Sequence, residues 1–205
     1  MTQCVITAKI GTMPRWDPKA EERLRDAALE LFLEHGYENV TVTQITERAG
    51  LTRRTFSRYF TDKRDVLFAG SEQLPPALAD AVVRADDTLA PFEALLTALV
   101  EIAGMFADRV PHAARRRAVI KSSPELQERE RTKFAAVTDA LADALQRRGA
   151  AASQALLLAH VGAAIFQTAF EWWTDQPDHA DFPTRIREAA TELAANVGGS
   201  TPSAE

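Results

Sequence analysis

Residues 149–170 contain no Asp, Glu, Lys or Arg across twenty-two consecutive positions. As one helix this stretch is about 33 Å long, and the hydrocarbon core of a bilayer is about 30 Å thick. A chain carrying such a segment has two outlets. It spans a membrane, or it buries the helix in a bundle large enough to surround it. Ser153, Gln154, His160 and Gln167 carry polar groups right round the helix, and much of the remainder is alanine, which transfer scales credit weakly. The bundle reading is therefore the better one, with a helix buried on all sides. One face lines the body's own core and pocket. The other, with the small residues Ala155, Gly162 and Ala163, packs closely against a partner chain.

The rest of the chain supplies that bundle. Over 18–34 the apolar residues Leu24, Ala27, Ala28, Leu31 and Phe32 fall in the i, i+3, i+4, i+7, i+8 stripe of an amphipathic helix, and Gly36 offers a left-handed stop. Thr41 and Gln44 have capping-box spacing and open a short second helix, which Gly50 breaks. Thr52 caps a third helix, with Phe56 and Phe60 one turn apart. Asp62 and Asp65 repeat the capping spacing and open a fourth through Phe68, which Pro75 and Pro76 bend or end. Pro91, Pro124 and Pro183 suit first helical positions, and helices are expected over roughly 91–108, 112–122, 124–148, 152–175 and 183–196. No strand-like alternation competes, so the fold class is all-α. At 205 residues, 46% hydrophobic and 26% charged, the composition is that of a globular protein. The single Cys4 excludes an intramolecular disulfide framework and fits a reducing, cytoplasmic setting. Residues 1–16 read as a flexible arm without a signal-peptide core, and Met13 is a candidate start because regular patterning begins just after it. The tail, 198–205, reads as disordered.

Charge is unevenly spread. Residues 1–70 hold 11 Lys+Arg and 10 Asp+Glu, a net +1, while 71–205 hold 13 and 19, a net −6. An acidic body argues against indiscriminate binding of nucleic acid but permits a small basic footprint at one end. The window 48–64 holds six basic residues and one acid, Asp62. It coincides with a short helix, a turn at Gly50 and Leu51, and a second short helix: a helix-turn-helix. The second helix, 52–59, is about 12 Å long, and the DNA major groove is about 12 Å wide. Arg53 and Arg54 sit on its first turn, where a guanidinium can pair two-pronged with guanine. Thr52, Thr55, Tyr59 and Lys63 can hold phosphates and fix the register. A charge-decorated, solvated helix is the plain alternative. The turn glycine, the two caps and the aromatic core positions argue against it.

The stretch "RLRDAALELFLEHGYENVTVTQITERAGLTRRTFSRYFTDKRDVL" at 23–67 closely resembles the DNA-binding domain of TetR-family transcriptional regulators. Its markers are the Leu31-Phe32 pair, "HGY" at 35–37, "VTVTQIT" at 40–46, "AGL" at 49–51, "YF" at 59–60 and Lys63. The resemblance implies a homodimer that binds double-stranded operator DNA and senses a small molecule. It implies a three-helix head over 17–62 and a helical ligand-binding and dimerisation body over 63–197, dimerising through the helices at 152–175 and 183–196. It places Thr43, Arg53, Arg54 and Ser57 at base-facing positions, and Thr41, Thr55, Tyr59 and Lys63 at phosphate-facing ones. Position 54 is often small in the family and position 57 often Tyr, so Arg54 and Ser57 alter which bases are read.

In the body, Phe106, Phe166, Phe170 and Trp173 are candidates for an apolar effector pocket, against ordinary core packing. His160 and Arg117 are polar candidates. Arg117 and Lys121, one turn apart, could meet an acidic ligand group, against a solvated helix face. The segment from Arg115 through the alanine-rich helix resembles the mycofactocin-associated regulators, some of which sense long-chain acyl-CoA; that implies an apolar, acyl-type effector. "DHAD" at 178–181 has metal-friendly residues but no recognised ligand spacing, and no metal or cofactor is expected. No glycine-rich phosphate loop, HExxH, GxSxG or cysteine site supports an enzyme. An enzyme or a membrane-tethered regulator on the same head are the rival readings. Activation and repression are not distinguished by these residues, although the family leans to repression.

Overall fold

The computed structural model describes residues 19–106, 110–176 and 180–198. The expected arm, part of the 178–181 loop and the expected tail beyond Gly198 lie outside them. The described residues are helical without a strand.

Four helices form the N-terminal unit: α1 (Lys19–His35), α2 (Val42–Arg48), α3 (Arg53–Tyr59) and α4 (Asp65–Phe68). Their apolar faces meet in one core built on Leu24, Phe32, Ile45, Phe56, Phe60 and Phe68. The Phe56 and Phe60 rings, one turn apart in sequence, lie 5.4 Å centroid to centroid. Six helices form the second unit: α5 (Leu74–Arg84), α6 (Pro91–Gly104), α7 (Val110–Ser122), α8 (Pro124–Arg147), α9 (Ala152–Asp175) and α10 (Phe182–Gly198). Its core runs through Leu78, Leu95, Leu99, Leu141, Leu145, Phe166 and Trp173. The expected helices at 124–148, 152–175 and 183–196 form within two residues of their predicted ends.

Two expectations fail here for physical reasons. Pro75 and Pro76 do not bend the fourth helix. That helix stops at Phe68, Gly70 turns the chain at φ 84°, and both prolines fall in the first turn of α5. A missing N–H costs nothing there, because first-turn donors have no helical partner. The second failure concerns α9. It is long and apolar enough, by length and composition, to cross a bilayer. It packs instead between α8, α10, α6 and α7, but is not buried on all sides. Ala155, Gly162 and Ala163 face inward within the same chain, not toward a partner. A Cβ on Gly162 would stand 2.9 Å from the Leu95 side chain, so glycine is what lets α6 and α9 approach. The outer face carries Leu156 at 50% exposure and Leu157 at 64%.

Candidate nucleic-acid interface and effector cleft

The turn between α2 and α3 is built by local rules. Thr41 Oγ1 accepts the Gln44 N–H at 3.3 Å, and Gln44 Oε1 accepts the Thr41 N–H at 2.8 Å, the expected reciprocal cap. At the other end Gly50 donates to Glu47 O and Leu51 to Thr46 O, a Schellman arrangement that needs the left-handed φ of 62° at Gly50. Arg23 of α1 donates to the Ala49 carbonyl and fastens the turn to the first helix. Thr52 then caps α3 by accepting the Thr55 N–H at 3.1 Å.

The basic residues of 48–64 divide into two groups. Arg48 is tied to Glu34 at 2.9 Å and Glu30 at 3.4 Å. Arg64 is tied to Asp62 at 2.6 Å and Glu125 at 2.8 Å. Lys63 is spent as well: Nζ donates to the carbonyls of Tyr37, Glu38 and Val40 at 2.8, 3.3 and 3.1 Å and sits 4.2 Å over the Tyr37 ring. All three ammonium donors are thereby used. The other group lies on α3. Arg53 and Arg54 are exposed, with no hydrogen bond or ion pair among the described residues. Arg58 covers Tyr59, its guanidinium 4.8 Å from the ring centroid and donating to the hydroxyl at 2.8 Å. Thr43 on α2 and Ser57 on α3 are exposed, and Thr55 and Tyr59 half-buried.

The two units meet at α4. Val119 and Ile120 of α7 and Leu126 of α8 pack into the N-terminal core, not the C-terminal one. Charge surrounds this apolar joint. Arg129 pairs with Asp65 at 2.8 Å, and Arg129 and Arg116 each lie 5.0 Å from the Phe68 ring centroid. Arg116 Nε donates to Leu67 O at 2.5 Å while its other nitrogen meets Glu130 at 3.1 Å. Glu130 also holds Lys133 at 2.5 Å. Burial pushes the Glu130 carboxyl up, but Arg116 and Lys133 outweigh it and hold it below the usual carboxylate range. Burial, with repulsion from Arg116, pushes Lys133 down to about 8.

Beside this joint, α7, α8 and α9 enclose a cleft of about 290 Å³. Ile120, Phe134 and Phe170 give it an apolar floor, and its charged lining is Arg116, Arg117, Lys121 and Arg131 with the carboxylates Glu130 and Glu171. Arg117 is 11% exposed and paired with Glu171 at 3.2 Å and with Asp175. Lys121 is exposed. Of the six pocket candidates read from sequence, only Arg117 and Phe170 line this cleft. Phe106, Phe166 and Trp173 come together with Phe170, but around Phe182, whose fully buried ring stacks on Trp173 at 5.0 Å and 15° and fills the space between them. Phe182 stands alone in sequence at the start of α10, and no local pattern there ties it to the aromatics of α9. His160, expected at the pocket, instead points outward, exposed, on α9 and does not line the cleft. Its position is three residues from Leu157, on the uncovered stripe. Among the described residues no cluster of three His, Cys, Asp or Glu could hold a metal.

Comparison with known proteins matches this division. Residues 24–69 match the family model of bacterial regulatory proteins, tetR family, and residues 89–198 match the MftR C-terminal domain. A Mycobacterium tuberculosis protein named "Putative mycofactocin biosynthesis transcriptional regulator MftR" is 27% identical over 155 residues, 73% of this chain and 77% of that one. The HTH-type transcriptional regulator BetI of Cronobacter sakazakii is 34% identical over 151 residues, 70% and 73% of the two chains. The crystal structure of the regulator FadR from Bacillus subtilis in complex with stearoyl-CoA superposes with a TM-score of 0.58, covering 84% of this chain and 96% of that one, at 17% identity. The helix-turn-helix head on an all-helical body therefore has its family: this chain is a TetR-family transcriptional regulator with an MftR-type C-terminal domain, and not an enzyme.

Proposed function

We propose that the chain is a homodimeric repressor that releases its operator when an amphipathic effector enters the cleft. The observation that carries this is the partnerless pair Arg53 and Arg54 on the capped first turn of α3, while Arg48, Lys63 and Arg64 are committed within the chain. Free guanidiniums at the start of a recognition helix are suited to guanine edges. Thr43, Arg53, Arg54 and Ser57 face the bases in this reading, and Thr41, Thr52, Thr55 and Tyr59 the phosphates. Lys63 instead holds the turn before α2. The head over 17–62 and the body over 63–197 are the working division, with α4 as the link.

Two half-sites on B-DNA lie about 34–36 Å apart, so two heads must be held at a fixed distance. The uncovered apolar stripe of α9, with Leu193 and Val197 of α10, supplies the surface for a second copy. The cleft sets four cationic side chains against two lining carboxylates, Glu130 and Glu171, over an apolar floor, and the exposed Lys121 adds to that positive balance, which suits an anionic head on a hydrocarbon tail. Stearoyl-CoA, carried by the FadR structure, has that chemistry. An effector acts only by binding the released state more tightly than the bound one. α9 belongs to the bundle and the protein works in the cytoplasm, away from any membrane.

The test is fluorescence anisotropy of the purified chain on DNA from around its own gene, against a scrambled duplex, at near-physiological salt. Selective binding by two protomers per site, reversed by stearoyl-CoA, supports the whole reading. Equal binding to both duplexes across that DNA and a random-library selection removes the operator claim. Selective binding that stearoyl-CoA leaves unchanged removes the acyl effector alone.

A further inference from the structure

Arg116 stands where the cleft and the head meet. It lines the cleft, 15% exposed, and its guanidinium is divided between two commitments. Toward the head it donates to Leu67 O at 2.5 Å and lies over Phe68 at 5.0 Å. Toward the body it pairs with Glu130 at 3.1 Å, itself a lining residue. The helix it grips is weak. α4 is four residues long and stops at Phe68, two residues before Gly70 turns the chain at a left-handed φ of 84°. The Leu67 carbonyl lies in its last turn, where carbonyls lack a helical donor, so the arginine is its substitute partner. α4 also follows α3 after five residues, 60–64, so a shift of α4 carries the recognition helix with it.

We propose that Arg116 is the positioning residue through which the cleft controls the head. An anion in the cleft draws the guanidinium away from Leu67 O, and α4 loses that one of its ties to the body while the Arg129–Asp65 pair stays. This rests on the effector reading of the cleft, and it adds the residue and the bond that transmit occupancy. Arg117 marks the contrast: its partners Glu171 and Asp175 both lie on α9, so moving it leaves α4 untouched. A carbonyl bond to a charged donor is stronger than one to a neutral donor, but an anion in a partly desolvated cleft is a stronger acceptor still. The competition therefore favours the anion.

The test does not need the natural effector. In the full chain carrying Cys4→Ser, Gln127→Cys places a thiol in the cleft, one turn from Glu130. Treatment with 2-sulfonatoethyl methanethiosulfonate tethers a sulfonate there, and methyl methanethiosulfonate gives a neutral control of the same linkage. Amide hydrogen exchange over 65–70 is read first, then operator affinity. The sulfonate is expected to speed exchange there and weaken operator binding, each by about tenfold against the methyl control, within the usual range of allosteric coupling. Adding Arg116→Gln should bring the ratio of sulfonate to methyl close to one, and Arg117→Gln should leave it near tenfold. Equal exchange in the two adducts overturns the proposal, as does a sulfonate effect that survives Arg116→Gln. A chain that binds no operator fails the proposed operator-release function, yet the exchange ratio still decides the role of Arg116.

Discussion

Arg53 and Lys63 are both basic residues of the helix-turn-helix window, and the structure gives them opposite chemistry. Arg53 has no partner among the described residues; Lys63 has three carbonyls. Arg53→Ala should cost about 1–3 kcal/mol on the operator and relax preference at one base pair, with the salt slope of non-specific binding changed little. Equal losses on operator and scrambled DNA would refute base reading. Lys63→Ala should lower the melting temperature by removing about 2 kcal/mol of charge-assisted hydrogen bonding. Its binding should fall on all duplexes alike, with the slope of log K against log salt unchanged. A slope reduced by about one unit with an unshifted melting curve would make Lys63 a phosphate contact instead. Sequence showed both cations but not this difference. Capping spacing is local and legible, as Thr41 with Gln44 proves. A bond from Lys63 back to Tyr37 spans 26 residues, and nothing in the sequence around 63 announces it.

Among elements, α4 and α5 show where legibility ends. Proline pairs carry one local meaning inside a helix and another at its start, and only the chain reversal at Gly70 decides between them. The same reversal makes α4 short enough to depend on side chains from α7 and α8. Arg116, Glu130 and Lys133 are each ordinary helix-face residues in sequence; folding assembles them into one partly buried group whose arginine lies against Phe68. Its pH dependence has a definite sign. The folded Glu130 pKa is lowered from 4.5, so the group contributes stability above that value. That contribution is lost as pH falls through the folded value. Glu130→Gln removes it and leaves two cations together, a loss of about 3 kcal/mol at pH 7. The melting difference between wild type and Glu130→Gln should be largest at neutral pH and shrink below about pH 4.5. A difference constant from pH 7 to pH 3.5 would show that the carboxylate charge contributes nothing to the joint.

At the scale of the molecule, the charge-free stretch 149–170 is legible as a bundle helix, but the sequence points its small-residue face at a partner chain and the structure turns that face inward. Small residues suit close helix approach whether the neighbour is α6 or a second chain, and sequence cannot tell the two apart. The structure sets Gly162 against Leu95 inside the chain and leaves Leu156 and Leu157 outside. That separation yields a paired prediction. Gly162→Ala forces a Cβ to within 2.9 Å of Leu95, an overpacking that should cost about 1–3 kcal/mol. It should lower the melting temperature and leave sedimentation as a dimer unchanged. Leu157→Glu puts a charge on a side chain already 64% exposed in one chain, so the isolated fold should hardly notice. In a dimer that packs this stripe, the carboxylate is buried opposite its own symmetry copy, and like charges there cost several kcal/mol. Sedimentation velocity at micromolar protein should then report a folded monomer, with circular dichroism unchanged. Operator affinity should collapse with it, because one head alone engages one half-site. A Leu157→Glu chain that still sediments as a dimer would move the interface off this face of α9.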